Sequence, residues 1–124
     1  MFDVCVIGQI VKDYNYLKGQ KYPPKISAGG AGYYSTYTYY NLGLKTAVAT
    51  SFNKNDKYLL SKQFVNIKII NNNNATSTEF KNFYKLGNKN YRKQEATYNN
   101  RPIKNKIPKA KIYHFGPLVP NDIN

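Results

Sequence analysis

The 124-residue sequence predicts an α/β fold, a mostly parallel sheet covered by helices with a small β-hairpin insertion. Three observations carry this. Val4-Cys5-Val6-Ile7 is a continuous apolar run ending at Gly8, the mark of a strand buried on both faces. Strand, helix, strand, helix and strand then alternate as far as Ile70, the spacing of parallel β-α-β units. Beyond them, two strand-like runs flank a short Gly- and Asn-containing turn.

The elements follow in order. Gln9 to Lys25 is polar, with Gly19 and Pro23-Pro24, and reads as a loop with at most a short edge strand. Gly30 to Leu42 suits a helix ending near Gly43, a natural C′ residue, although its Tyr and Thr content requires packing to hold it. Leu44 to Thr50 is the second strand, and Ser51 to Asp56 a polar turn. Lys57 to Phe64 fits a short helix with Leu59, Leu60 and Phe64 inward. Val65 to Ile70 alternates as a third strand. Asn71 to Asn74 is a loop. Thr76 to Tyr84 and Asn90 to Tyr98 form the hairpin around Leu86-Gly87-Asn88. Arg101 to Lys109 is a basic linker, and Lys111 to Phe115 a strand that stops at Gly116-Pro117.

Composition narrows the function classes. Hydrophobic content of 41%, with 13 Tyr and 6 Phe, argues against disorder. No apolar run approaches the roughly 20 residues of a membrane span, and the first residues lack a basic leader, so no membrane partner is expected. The lone Cys5 excludes a disulfide framework and suits a reduced, cytoplasmic setting. A net charge of +13 raises the possibility of a nucleic-acid-binding module. The lysines are spread singly among Asn, Tyr and Ile, however, so the charge reads as biased surface composition.

Ligands of open α/β sheets bind beyond the carboxyl ends of the strands. Asp13 falls just past the first strand and Gly29-Gly30 opens the next helix, so the two converge there. They form either a polyol-binding pair or a solvated loop acid beside a tight turn. Tyr33, Tyr34 and Tyr37 form either an aromatic wall against a ring or part of the core. His114 and Cys5 sit in apolar runs and read as structural. One His, one Cys and scattered acids make no metal cluster.

Val6-Ile7-Gly8, Asp13, Ala28-Gly29-Gly30-Ala31-Gly32, Asn41-Leu42-Gly43 and Thr46-Ala47-Val48 together resemble the N-terminal half of the PfkB/ribokinase family of carbohydrate kinases. Thr76 to Tyr84, Arg92 with Gln94, and Tyr113 to Leu118 resemble later segments of that half. The resemblance implies a ribokinase-like three-layer α/β/α sandwich, here partial, with a small β lid. It implies ATP- and Mg2+-dependent phosphorylation of a sugar, polyol or nucleoside hydroxyl. Carried over by position, the substrate-binding residues are Asp13, Gly29, Gly30 and Tyr34, the last standing where many members have Asn. A phenol does not reproduce an amide's paired donor and acceptor, which disfavours ribose and leaves inositol-like and nucleoside substrates open.

The family's glycine-rich catalytic aspartate segment, nucleotide site and acidic magnesium motif lie in its C-terminal half. None of the six acids here stands in such a segment, so no catalytic residue is carried over. Residues 1–124 are therefore expected to be the N-terminal, substrate-binding part of such a domain, inactive alone, unable to bind ATP or Mg2+ strongly, and completed by a separate C-terminal half or prone to self-association. The alternative function is a non-catalytic polyol- or nucleoside-binding protein.

Overall fold

In a computed structural model, which describes residues 1–19, 22–72, 76–85, 88–99, 102–103 and 106–118, the chain builds two four-stranded sheets. The first contains β1 (Phe2–Gly8), β4 (Thr46–Thr50), β5 (Lys68–Asn71) and β8 (Ala110–Gly116), all parallel, in the order β5-β4-β1-β8. β1 lies at the centre, with Val4 level with both Thr46 and Ile112. This is why the Val4-to-Ile7 run is apolar at every position. Val4 and Val6 face one layer, with Val48, Phe52 and Phe64. Cys5 and Ile7 face the other, with Ala47, Ala49 and Ile103. Burial pushes the Cys5 thiol pKa up, as suits a small packing residue.

Helix α1 (Ala31–Asn41) covers the first layer and ends before Gly43 (φ 85°), as expected. Tyr33 stacks on Phe64 with ring centroids 5.2 Å apart, and Tyr37 lies 6.5 Å from the same ring, so these two tyrosines are core. Their burial is what holds a helix of modest intrinsic propensity.

His114 joins α1 to β8. Its Nδ1 is 2.7 Å from the Tyr39 hydroxyl and its Nε2 3.5 Å from Ser35 Oγ, and the Tyr39 ring stands edge-on to it. A neutral ring with hydrogen on Nε2 satisfies both contacts, with Tyr39 donating to Nδ1. Tyr39→Phe is expected to cost about 1 kcal/mol, read as a lowered midpoint in a thermal melt. An unchanged midpoint would mean the bond contributes nothing.

Three expectations are corrected here. The helix expected over Lys57 to Phe64 is replaced by two 3-10 turns, Lys54–Leu59 and Lys62–Asn66. Leu60 breaks the run with extended backbone (φ −75°, ψ 145°), and Asn53 and Ser61 cap the turns by accepting from Asn55 N–H and Gln63 N–H. Phe64 still points inward, whereas Val65, expected to open a strand, is 85% exposed. The stretch read as a basic linker sends Ile103 into the second core layer, 3% exposed.

The second sheet holds the largest correction. Within Gln9 to Lys25, expected to be loop with at most a short edge strand, lies the eight-residue β2 (Val11–Lys18), which pairs antiparallel with β3 (Lys25–Gly29). β2 also pairs in parallel with β6 (Thr78–Lys85), which pairs antiparallel with β7 (Asn88–Thr97), giving the order β3-β2-β6-β7. The expected hairpin is real, but it is half of a sheet rather than an isolated insertion. Residues 86 and 87 of its expected turn lie outside the described residues. The junction between the sheets is tied by Lys12 Nζ to Asp56 Oδ1 at 3.3 Å, and by Ser77 Oγ donating to Asp56 Oδ2 at 2.7 Å.

Candidate functional site

The carboxyl ends of β1 and β8 meet the first turn of α1 at a joint made of glycines. Gly32 N–H donates to the Gln9 carbonyl at 2.9 Å, and a Cβ on Gly32 would collide with the Gly8 carbonyl oxygen. Gly30, the residue before α1, has φ 84°, and a Cβ there would stand 2.5 Å from the Gln9 carbonyl oxygen. The cluster therefore brings main chains into close contact. The Gly32 amide is already used within the protein, which fits a wall of a pocket better than a phosphate cradle.

Asp13 lies directly against this wall. A Cβ on Gly29 would meet Asp13 Oδ2, so glycine here makes room for the carboxylate. Asp13 Oδ1 accepts from Asn82 Nδ2 at 3.4 Å. Asn82, 5% exposed, also donates to Asn15 Oδ1 at 3.2 Å and accepts from Gln94 Nε2 at 2.8 Å. Asn15 in turn donates to Ser27 Oγ at 3.1 Å. One polar ladder, Ser27 to Asn15 and Asp13 to Asn82 to Gln94, thus crosses all four strands of the second sheet. Desolvation, the largest cause, pushes the Asp13 carboxyl pKa up, and the Asn82 bond and the positive Arg92 only partly offset it.

Tyr34 lies at the rim, 59% exposed. Its hydroxyl pKa is raised by desolvation first and then by the negative charge of Asp13, with smaller effects of Tyr33 and Tyr84. The structure therefore brings the four expected residues together, with Asp13 and Gly29 in contact, Gly30 next to them and Tyr34 within electrostatic reach of Asp13. Tyr33 and Tyr37 pack against the core, while Tyr34 stays at the rim with its ring edge-to-face on Tyr33 at 5.3 Å between centroids.

Asn15, Ser27 and Asn82 were missed in the sequence. The signal was the period-two spacing Asp13-x-Asn15 and Phe80-x-Asn82-x-Tyr84, which puts polar groups on one strand face. Among the described residues, no group of three or more His, Cys, Asp or Glu side chains gathers to hold a metal ion. Among them, too, no helix is long and apolar enough to cross a membrane.

No protein-family profile and no curated protein matches the chain. Solved structures do. A sulfate complex of a pyrophosphate-dependent kinase in the ribokinase family superposes with a TM-score of 0.74 at 21% identity over 98% of this chain. The fold is ribokinase-like.

A pyrophosphate-dependent ribokinase-family kinase complexed with a pyrophosphate analog and myo-inositol matches at TM-score 0.72, again at 21% identity over 98% of the chain. The Methanocaldococcus jannaschii nucleoside kinase matches at 0.67, with 12% identity over 93%. The chain spans 43%, 42% and 44% of the length of these three structures. The mostly parallel first sheet with its covering helix is consistent with part of that fold.

Proposed function

We propose that residues 1–124 are the N-terminal, acceptor-binding part of a ribokinase-family kinase domain, and that their ligand is a polyol such as a cyclitol or the sugar of a nucleoside. The supporting observation is the half-buried Asp13, held by Asn82 against a glycine wall. A carboxylate has about four acceptor positions, and the Asn82 bond uses one of them, so adjacent hydroxyls of a ring can donate to the rest. Asn82, whose amide is taken up by protein partners, acts as a positioning residue. Tyr34 at the rim offers a hydroxyl and a ring face to the substrate.

The phosphoryl donor is ATP or pyrophosphate; the donor named for two of the similar kinases widens the expectation of ATP alone. Its site, the metal and the catalytic base belong in this reading to the counterpart of the neighbours' remaining length. The isolated chain is accordingly inactive.

A dye-monitored melt of the chain with myo-inositol, ribose or a purine nucleoside tests the binding claim. At least one is expected to stabilise, by about 2.7 kcal/mol at a hundredfold excess over Kd. No response to any of them would sink it. Phosphorylation of any of these by the chain alone, with ATP or pyrophosphate, would overturn the inactivity.

A further inference from the structure

The second sheet has two faces of different character. Side chains alternate along a strand, so Tyr16 of β2 and Lys81, Phe83 and Lys85 of β6 stand on the face opposite Asp13 and Asn82. Tyr16 and Phe83 are level with each other, their rings stacked with centroids 4.9 Å apart and 13° between planes. Lys93 of β7 is level with Phe83 on its other side, and Lys81 and Lys85 stand two positions before and after it. Lys18 is level with Lys85. All four lysines are exposed, while both rings are half-buried. Like charges directly opposite on neighbouring strands, as at Lys18 and Lys85, are destabilising, and acids do not relieve them. Among the described residues Lys18, Lys81 and Lys85 form no ion pair, and Lys93 has only a solvent-exposed contact of 3.9 Å with Glu95. Glu79, on the same face, accepts instead from the Tyr14 hydroxyl at 3.4 Å. Lysines scattered in the sequence thus gather around one aromatic pair, short of anions.

We propose that this face binds single-stranded RNA, with bases stacking on the Tyr16–Phe83 pair and phosphates meeting Lys18, Lys81, Lys85 and Lys93. Such a strand supplies both the π-faces and the anions that the surface lacks. The Tyr16 hydroxyl, unbonded among the described residues, can pair with a ribose 2′-OH, which selects RNA over DNA. A duplex would reach the lysines but keep its bases stacked away from the rings. A second copy of the chain would set two groups of lysines face to face on molecules of net charge +13 each. The Asp13 ladder lies on the opposite side of the sheet, so the RNA reading and the kinase reading can fail separately.

The test is an anisotropy titration of the 124-residue chain with a fluorescein-labelled oligouridylate. Binding is expected, with log K falling against log salt at a slope of about −2 to −3 for three or four phosphates neutralised. Phe83→Leu keeps the apolar packing but removes the π-face, and should weaken binding about tenfold. Lys81→Glu/Lys85→Glu should weaken it at least as much, and Phe83→Tyr should bind like the wild type. Far-ultraviolet circular dichroism should be unchanged in all three. An oligodeoxyuridylate of equal length, lacking the 2′-OH, should bind about fivefold more weakly. Lys62→Glu/Lys68→Glu, an equal charge change at exposed positions beside the other sheet, should have far less effect. An equal loss in that variant would overturn the proposal, leaving diffuse charge as the cause. Unchanged binding by folded Phe83→Leu would also overturn it, as would duplex RNA or the DNA strand binding as tightly. A dimer that Phe83→Leu disperses, with no RNA bound, would give the face to a second copy and overturn it too.

Discussion

Gly32→Val is expected to remove more than about 3 kcal/mol of stability, enough to leave much of the chain unfolded without denaturant. The new side chain would enter space held by the Gly8 carbonyl oxygen and by the Gln9 carbonyl, whose atoms lie 2.8 Å from the point a Cβ would occupy. Those are backbone atoms, which cannot move aside without pulling β1 away from α1. Gly43→Ala supplies the control. Gly43 has φ 85° but nothing within 4 Å of an added Cβ, so only backbone strain of about 1 kcal/mol applies. Urea titrations of both variants, followed by circular dichroism, separate collision from strain. Equal losses at the two sites would contradict the close joint.

Asp13→Asn is expected to weaken polyol binding strongly without weakening the fold. Losing a charged acceptor costs the ligand about 1.5–3 kcal/mol, or roughly ten- to a hundredfold in affinity. The fold responds in the opposite sense. The Asp13 pKa is raised in the native state above its ordinary 3.8, mainly by desolvation. Its contribution thus favours the native state below the unfolded value and is lost as pH rises through the higher folded value. At neutral pH the wild type should be no more stable than Asp13→Asn. The wild type should gain on the variant as pH falls through the folded value toward 3.8. Polyol-induced stabilisation of the wild type should fade over the same window, as the acceptor is protonated. A stability gap that ignores pH, or a variant that still responds to polyol, would count against the site.

What could be read in advance depended on how each segment is buried. β1 was legible because both its faces meet apolar layers, so no residue from Val4 to Ile7 needs a polar side chain. α1 was legible from its flanking glycines, since Gly30 and Gly43 both require positive φ. β2 was not. Its Lys12, Asp13 and Asn15 look like loop residues, yet they serve an ion pair and the polar ladder rather than solvent. The same reason hid half of the site. Asp13 and the glycines stood out by type, while Asn82 and Asn15 acquire meaning only when β2 and β6 are set in register, Asn15 beside Asn82. Lys57 to Phe64 misled because apolar spacing alone does not separate one helix from two capped turns, and Leu60 decides between them.

The position of β1 has a consequence for the order in which the protein assembles during synthesis. It is made before β4 and β8, yet it completes its pairing only when Ile112 arrives beside Val4. β4 can close the other flank once Thr46 to Ala49 have emerged. At translation rates of ~5–20 residues per second, the interval between the two events is on the order of several seconds. Throughout it, the most apolar strand of the nascent chain has one unpaired edge, open to other nascent chains and to chaperones. Folding yield should therefore depend on how quickly the ribosome delivers β8, and a translational pause before Ala110 should lower it.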